Sequence, residues 1–446
     1  MRKSKMSKII IAALLAVCLA FTLAACNGGG GGGGGGDAPA PAPEPAPAPE
    51  PAPAPSGDAP ATIKIGVPTP LTGPISGFGM ATPWTEQLAV DAINAKGGVY
   101  IEEYDTSIPL EIIVADTESD PAKSGEVAEQ MALSNQVNML LARHTPDTTI
   151  PVALVGEKYG IPTVSNGCPT DPLMAAGPYE WVFHGFWDTV DAMEVFVGMW
   201  KELGYGPGTK VGLLLPNDAD AIAWGQTITK IFEREGYIAV DSGGYEMGIS
   251  DWTNIINTFK AGEIQIICGN DIAPNFAAFI TQATAQNLQY EMITMGRAFL
   301  FPSDANQLPM EIIAGLTNET WWSPSLPYVS SIDGTTAREL ADQWMAYSGD
   351  DWYATLGDKY SAIEICYDAL TRAASLDPAK IRDALAATDL QTIAAPIKYD
   401  QNNLCVTPIA GGQWKLNEDG QSVSVHIVYP GNFPAGVQPD AKLELP

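Results

Sequence analysis

The sequence predicts an α/β protein built as two doubly wound lobes joined by three crossings. From residue 63 onward, short β-branched runs alternate with segments of helical period, the pattern of parallel sheets covered on both faces. That alternation runs twice, with a restart after residue 186. After residue 316 it gives way to three helical stretches and then three strand-like ones, as if the chain returned to the first lobe and then to the second.

The elements follow in order. In the first run, 63–67, 110–115, 137–142 and 162–165 read as buried strands, and 84–96, 121–135 and 150–159 as helices; 181–186 closes the run. The second run has strands at 210–215, 238–243, 264–269 and 291–295, with helices at 222–235, 252–260 and 274–287. Helices at 336–348, 359–376 and 379–387 come next, then antiparallel strands at 397–400, 413–417 and 422–429 with glycine-bearing turns. Lobe one is expected at 61–186 with 320–394, and lobe two at 187–319 with 395–446.

Ahead of the lobes the chain has a different character. Arg2, Lys3, Lys5 and Lys8 precede an uncharged apolar run that ends in Leu23-Ala24-Ala25-Cys26. This is the layout of a secretory signal peptide, 1–25, with small residues before a cysteine that takes lipid after cleavage. Acylated Cys26 would anchor the mature chain outside the cytoplasm without spanning the membrane. Residues 26–60 combine a glycine run with Pro-Ala-Glu repeats, a composition that buries nothing; its stretch 38–60 spans roughly 70 Å when fully extended.

The whole chain carries 23 basic against 52 acidic residues, a surface that repels nucleic acid and anionic lipid. Cys168, Cys268, Cys366 and Cys405 have no metal-ligand spacing; disulfides and buried thiols both remain open. Among His144, His184 and His426 there is no zinc-type pair, and no Gly-x-Ser-x-Gly elbow is present. The glycine-rich stretch 204–210 has the wrong spacing for a phosphate loop and reads as a turn. Asn217-Asp218-Ala219-Asp220 lacks the loop glycine and terminal glutamate of a calcium loop. No catalytic group, cofactor or metal is therefore expected.

In open α/β sheets, ligands bind beyond the carboxyl ends of the strands. The loops there are polar and aromatic: Phe78 between glycines, then His144, Thr145 and Thr148, then Asn166, Gly167, Cys168 and Thr170. The second lobe offers Trp224, Asn270, Asp271 and Arg297, and Trp321 and Trp322 stand near the second crossing. Structural readings compete: Thr148 can cap a helix, Arg297 can be a surface charge, and one of the tryptophan pair can be core or hinge packing.

Several motifs, in order, resemble the type I periplasmic binding proteins of the leucine/isoleucine/valine-binding class. They are Ile63-Lys64-Ile65-Gly66-Val67 with Pro70-Leu71-Thr72-Gly73-Pro74, Ala89-Val90-Asp91-Ala92-Ile93-Asn94 with Lys96-Gly97-Gly98, Asp116 with Ser119-Asp120-Pro121, Tyr159-Gly160-Ile161-Pro162, Trp224-Gly225, and Ser250-Asp251-Trp252. The resemblance runs from about residue 63 to the end. It implies two Rossmann-like lobes that close on a small solute, and a monomer that delivers it to the transmembrane subunits of an ABC permease. It also implies that Phe78 and Trp224 cover the ligand and that Gly167, Cys168 and Thr170 touch it. Pro146 falls where a hydroxyl residue is usual, with His144 and Thr145 beside it. Where an acid should grip an α-ammonium, Arg297 and Ala298 stand instead. The expected ligand is thus an amide, a carboxylate with an aromatic or aliphatic body, or another amino-acid-like solute, with Arg297 holding a carboxylate and simple α-amino acids disfavoured. The alternatives are a sensor lipoprotein on the same fold and, less favoured, a secreted hydrolase.

Overall fold

The computed structural model describes residues 57–446; the expected signal peptide, Cys26 and nearly all of the spacer lie outside the described residues. The first sheet has six parallel strands in the spatial order Leu404–Cys405, Val182–Gly185, Thr163–Asn166, Met139–Arg143, Ile63–Thr69 and Leu110–Asp116. Ile63, Ile65 and Val67 are fully buried, which is why this strand reads as an apolar run. The second sheet has seven strands: Val423–Tyr429, Ala410–Leu416, Thr317–Thr320, Met292–Gly296, Ile266–Asn270, Lys210–Leu214 and Ile238–Val240. Its last five are parallel; Ala410–Leu416 pairs antiparallel with Thr317–Thr320 and with Val423–Tyr429.

In each sheet the first strand of the run lies between the second and the third, so each sheet has its switch point beside its first strand. The chain passes between the sheets three times, just after Gly185, after Thr320 and after Cys405. The expected fold of two doubly wound lobes and three crossings is the one observed.

Several elements differ from expectation. The helix Thr189–Glu202 was not anticipated. It starts at a capping box between Asp188 and Asp191, and it buries Met193, Phe196, Val197 and Trp200 among others, so apolar residues on more than one face hide its period. The hairpin of Val99–Ile101 with Thr106–Ile108 also escaped notice. The strand Thr317–Thr320 is wholly polar yet fully buried, with Thr317 sharing a 2.8 Å hydrogen bond with Thr294 and Asn318 donating to the Phe299 carbonyl. At the end of the chain, Pro396–Lys398 pairs with Asp389–Gln391, and Leu404–Cys405 extends the first sheet. The return to the second sheet thus comes after Cys405 rather than at residue 395. Cys168, Cys268, Cys366 and Cys405 are all free thiols, the first three buried. Among the described residues, no helix is long and apolar enough to cross a membrane.

Candidate functional site

The carboxyl ends of both sheets meet at one narrow cleft, with room of about 20 Å³ left between its walls. That is far below the roughly 300–1,000 Å³ of a ligand pocket, so the walls must move apart before a solute enters. First-lobe loops supply Phe78, His144, Thr145 and Gly167. The first crossing supplies Phe186 and Trp187. From the second lobe come Asp220, Asn270, Arg297 and Leu300, with Glu319 and Trp321 at the second crossing.

His144 and Arg297 each follow a parallel strand directly, and both take positive φ, 91° and 64°. Side chains other than glycine rarely adopt that region, and its cost is met where the surroundings over-determine the conformation. His144 Nε2 lies 2.9 Å from the Thr69 hydroxyl, and burial holds its pKa well below the usual value, so the ring is neutral. Arg297 Nη2 donates to Asp218 Oδ2 at 2.7 Å, and Nη1 stands 3.5 Å from Asp220 Oδ2. Its amide donates to Glu319 Oε1 at 2.9 Å.

The acids are the perturbed groups. Burial pushes Asp220 up to about 7 and Glu319 up to about 8. Arg297 opposes the shift at Asp220, and hydrogen bonding from its amide opposes the shift at Glu319. Asp220 Oδ1, Asn270 Oδ1 and Glu319 Oε2 are buried without a partner, as are the donors Trp187 Nε1 and Arg297 Nε. Orphaned buried polar atoms are uncommon, and five of the 21 among the described residues line this cleft.

The aromatic surfaces interlock. Phe186 lies edge-on to Trp321, with centroids 5.2 Å apart, and Trp187 tilts against Trp321. Phe301, carried by the second lobe, meets Phe78 edge-on at 4.8 Å and Tyr353 at 5.2 Å. A Cβ on Gly77 would stand 2.5 Å from that ring, so the first lobe needs glycine there.

Of the residues singled out by sequence, Phe78, His144, Thr145, Gly167, Asn270 and Arg297 line the cleft, and six do not. Thr148 turns back to the Thr145 carbonyl at 3.3 Å. Thr170 donates to the Phe186 carbonyl at 2.9 Å. Cys168 is core, and Trp224 is fully buried under Gly296. Asp271 accepts from the Tyr245 hydroxyl at 2.6 Å and from Asn275. Asn166 donates to the Asp358 carbonyl at 2.9 Å and faces a separate cavity. The expectation that Arg297 offers its fork to a ligand carboxylate meets a guanidinium already held by two aspartates.

Phe186, Trp187, Asp220 and Glu319 were not proposed as ligand residues. Phe186 and Trp187 sit just past a strand end, a position that could have flagged them. Glu319 had no such signal, because nothing marks Thr-Asn-Glu-Thr as a strand.

A family model described as Periplasmic binding protein matches residues 62–421. The chain belongs to that family, and is of type I. The leucine-, isoleucine-, valine-, threonine- and alanine-binding protein of Pseudomonas aeruginosa is 22% identical over 341 residues, 76% of this chain and 86% of that protein. Two solved structures share the fold of this binding protein. The branched-chain amino acid transporter substrate binding protein of Streptococcus pneumoniae, in complex with isoleucine, has a TM-score of 0.68 at 21% identity and covers 83% of this chain and all of its own. A solute binding protein of an ABC transporter from Rhodopseudomonas palustris, in complex with 3,4-dihydroxybenzoic acid, has a TM-score of 0.66 at 14% identity and covers 84% of this chain and 99% of its own.

Proposed function

We propose that this chain is the solute receptor of an ABC uptake transporter, held outside the cytoplasmic membrane by acylated Cys26 and the spacer 26–60. Its solute is a small organic molecule that presents N–H donors, an amine or an amide, on an apolar or aromatic body. The observation that carries the ligand class is the set of unpartnered acceptors in the cleft: Asp220 Oδ1, Asn270 Oδ1 and Glu319 Oε2. In their ionised form, which a bound cation favours, Asp220 and Glu319 present with Asn270 three buried acceptors against two orphaned donors, a set that calls for a ligand that donates more than it accepts. Phe78, Phe186 and Trp187 supply the flat apolar walls for its body.

This reading replaces the carboxylate expected from Arg297. With Asp218 and Asp220 on its guanidinium, that residue leaves no net positive charge for an anion, and Glu319 adds an acid close by. α-Amino acids are thereby readmitted as ligands, with the α-ammonium directed at Glu319 and Asp220. The mechanism is hinge closure about the three crossings, the solute bridging both lobes and the closed shape being what a permease engages.

Titration calorimetry on the purified chain tests this. The panel is phenylalanine, leucine, phenethylamine, benzamide and benzoate. Micromolar binding of an amine, amino acid or amide, with benzoate silent, is expected; benzoate binding alone would sink the ligand class.

A further inference from the structure

The first lobe's helix Pro146–Tyr159 meets the second lobe's helix Ala219–Glu235, and both begin with acids. Asp147 stands in the first turn of one. Asp218 caps the other, accepting from the Ala221 amide at 2.8 Å, and Asp220 follows in its first turn. Either place suits an acid, because the backbone N–H groups of a helix start are unpaired. Here, however, the two starts face each other across the lobes. Asp147 lies under the influence of the Asp218 carboxylate and the Ala219 amide, both on the opposite side.

Most of the ionisable groups around this contact are acids. From the first lobe Asp171 joins them, accepting from the Thr189 amide at 3.0 Å and its hydroxyl at 2.8 Å, with Asp188 and Asp191 beyond it. Cys168 sits among them as a thiol that burial keeps protonated. In the second lobe the side chains of Asp218 and Asp220 are 12% and 4% exposed, and Asp271 and Glu319 lie behind them. The cation in their midst is Arg297, 2.7 Å from Asp218 and 3.5 Å from Asp220. Arg143 and Lys359 stand beyond the neutral His144 and face Glu86 and Asp358 instead. Asp220 Oδ1 stays buried without a partner.

Fully ionised, Asp147, Asp171, Asp218 and Asp220 set four negative charges against one guanidinium, in a place where water screens them poorly. Burial pushes Asp147 up, and Asp218 adds to the shift; burial also takes Asp220 up to about 7, with Asp218 and Asp147 adding to it. Parting the lobes returns Asp147 to water and withdraws it from Asp218. A carboxyl whose pKa is higher in the closed form takes up a proton on closing. Its contribution to closure is complete at low pH and is lost as pH rises through the closed-state value.

We propose that Asp147, facing Asp218 and Asp220, is a charge gate on lobe closure: ionised and empty, these acids hold the lobes apart, and a proton or the cationic group of a solute lets them shut. The closed cleft has no room for a solute to enter, so a receptor that waits open is the one that can be filled. Asp147 does not line the cleft, and its part is to couple closure to charge rather than to touch the solute. The gate rests on the proposed function only for the solute's cation, since protons operate it in the empty chain.

Small-angle scattering from the full, empty chain tests the gate. The unaltered chain should be expanded at pH 8 and contract as pH falls to 5. Asp147→Asn keeps the shape without the charge and should be compact already at pH 8, losing the pH-dependent contraction; Asp147→Ser serves if the asparagine form does not melt cooperatively. Asp342→Asn, an exposed acid of the same lobe, should behave like the unaltered chain. A radius that is the same at both pH values in the unaltered chain overturns the gate. So does an Asp147 variant that still contracts, or an Asp342 variant that no longer does, since general charge repulsion would then be the cause. Phenethylamine at pH 8 should compact the unaltered chain as acid does. A chain that binds none of the calorimetric panel yet contracts through Asp147 would keep the gate and remove the proposed ligand class. One that binds the amine while its empty form ignores pH would remove the gate alone.

Discussion

Replacing Glu319 with glutamine should move stability and binding in opposite directions. The carboxyl is fully buried, its Oε1 accepts the Arg297 amide at 2.9 Å, and its Oε2 faces no protein donor. Burial raises its pKa to about 8 from the ordinary 4.5. Between those two values the folded chain holds a proton that the unfolded chain has released. Folding therefore takes up a proton, and stability falls as pH rises from the unfolded value to the folded one, with the full loss present above about 8. At pH 7 the penalty is about 3 kcal/mol, at ~1.36 kcal/mol per pKa unit.

Glutamine keeps the shape and the oxygen that receives the Arg297 amide but has no proton to titrate. The Glu319→Gln chain should melt roughly 3–6 °C higher at pH 7 and equally at pH 4. Its affinity for an amine should fall by about 2–5 kcal/mol, the range for removing one partner of a buried charged pair, or roughly 30-fold to several thousand-fold. Scanning calorimetry at the two pH values and titration with the best amine of the panel measure both. A variant that melts lower at pH 7 would show that the carboxylate is structural. One that binds the amine unchanged would remove Glu319 from the site.

Three other expectations follow from the same geometry. Asp220 and Glu319 are raised by burial to about 7 and about 8, and a bound cation would draw both down, so amine affinity should rise from pH 6 to pH 8 with proton release; titration in two buffers of different ionisation enthalpy detects it, and a pH-independent affinity would contradict it. Phe301→Ala removes a second-lobe ring from between Gly77, Phe78 and Tyr353, so solute affinity should drop at least about tenfold and small-angle scattering should show a more open chain; equal affinity would make the ring local packing only. Cys26→Ser should block incorporation of labelled palmitate, and labelling that persists in the variant would refute the anchor.

Much of the fold was legible because its strands are buried on both faces. A strand such as Ile63–Thr69 then becomes a β-branched run, and strands spaced by helices leave parallel pairing as the economical solution. The elements that escaped are those whose burial is not hydrophobic or not one-sided. Thr317–Thr320 is a buried strand made of hydroxyl, amide and carboxyl groups, whose side-chain partners, such as Thr294 and the Phe299 carbonyl, are distant in sequence. Thr189–Glu202 is too apolar around its circumference to show a period.

The site divides along the same line. Loops after strands could be named from sequence because topology places every such loop at one end of its sheet, and Phe78, His144, Gly167, Asn270 and Arg297 are there. Which way each side chain turns was not legible: Trp224 goes beneath Gly296, Thr148 bonds back to its own loop, Thr170 reaches the Phe186 carbonyl, and Asn166 donates to the Asp358 carbonyl. Sequence by itself determined the two-lobed class, the family motifs and the strand-end loops, since these depend on local periodicity and turn chemistry. Only the tertiary structure decided the charge of the cleft. That charge is set by Asp218 and Asp220 closing on Arg297 and by Glu319 arriving from a strand some twenty residues later, and Coulomb interactions in a buried site depend on distance through space, which the order of residues along the chain does not record.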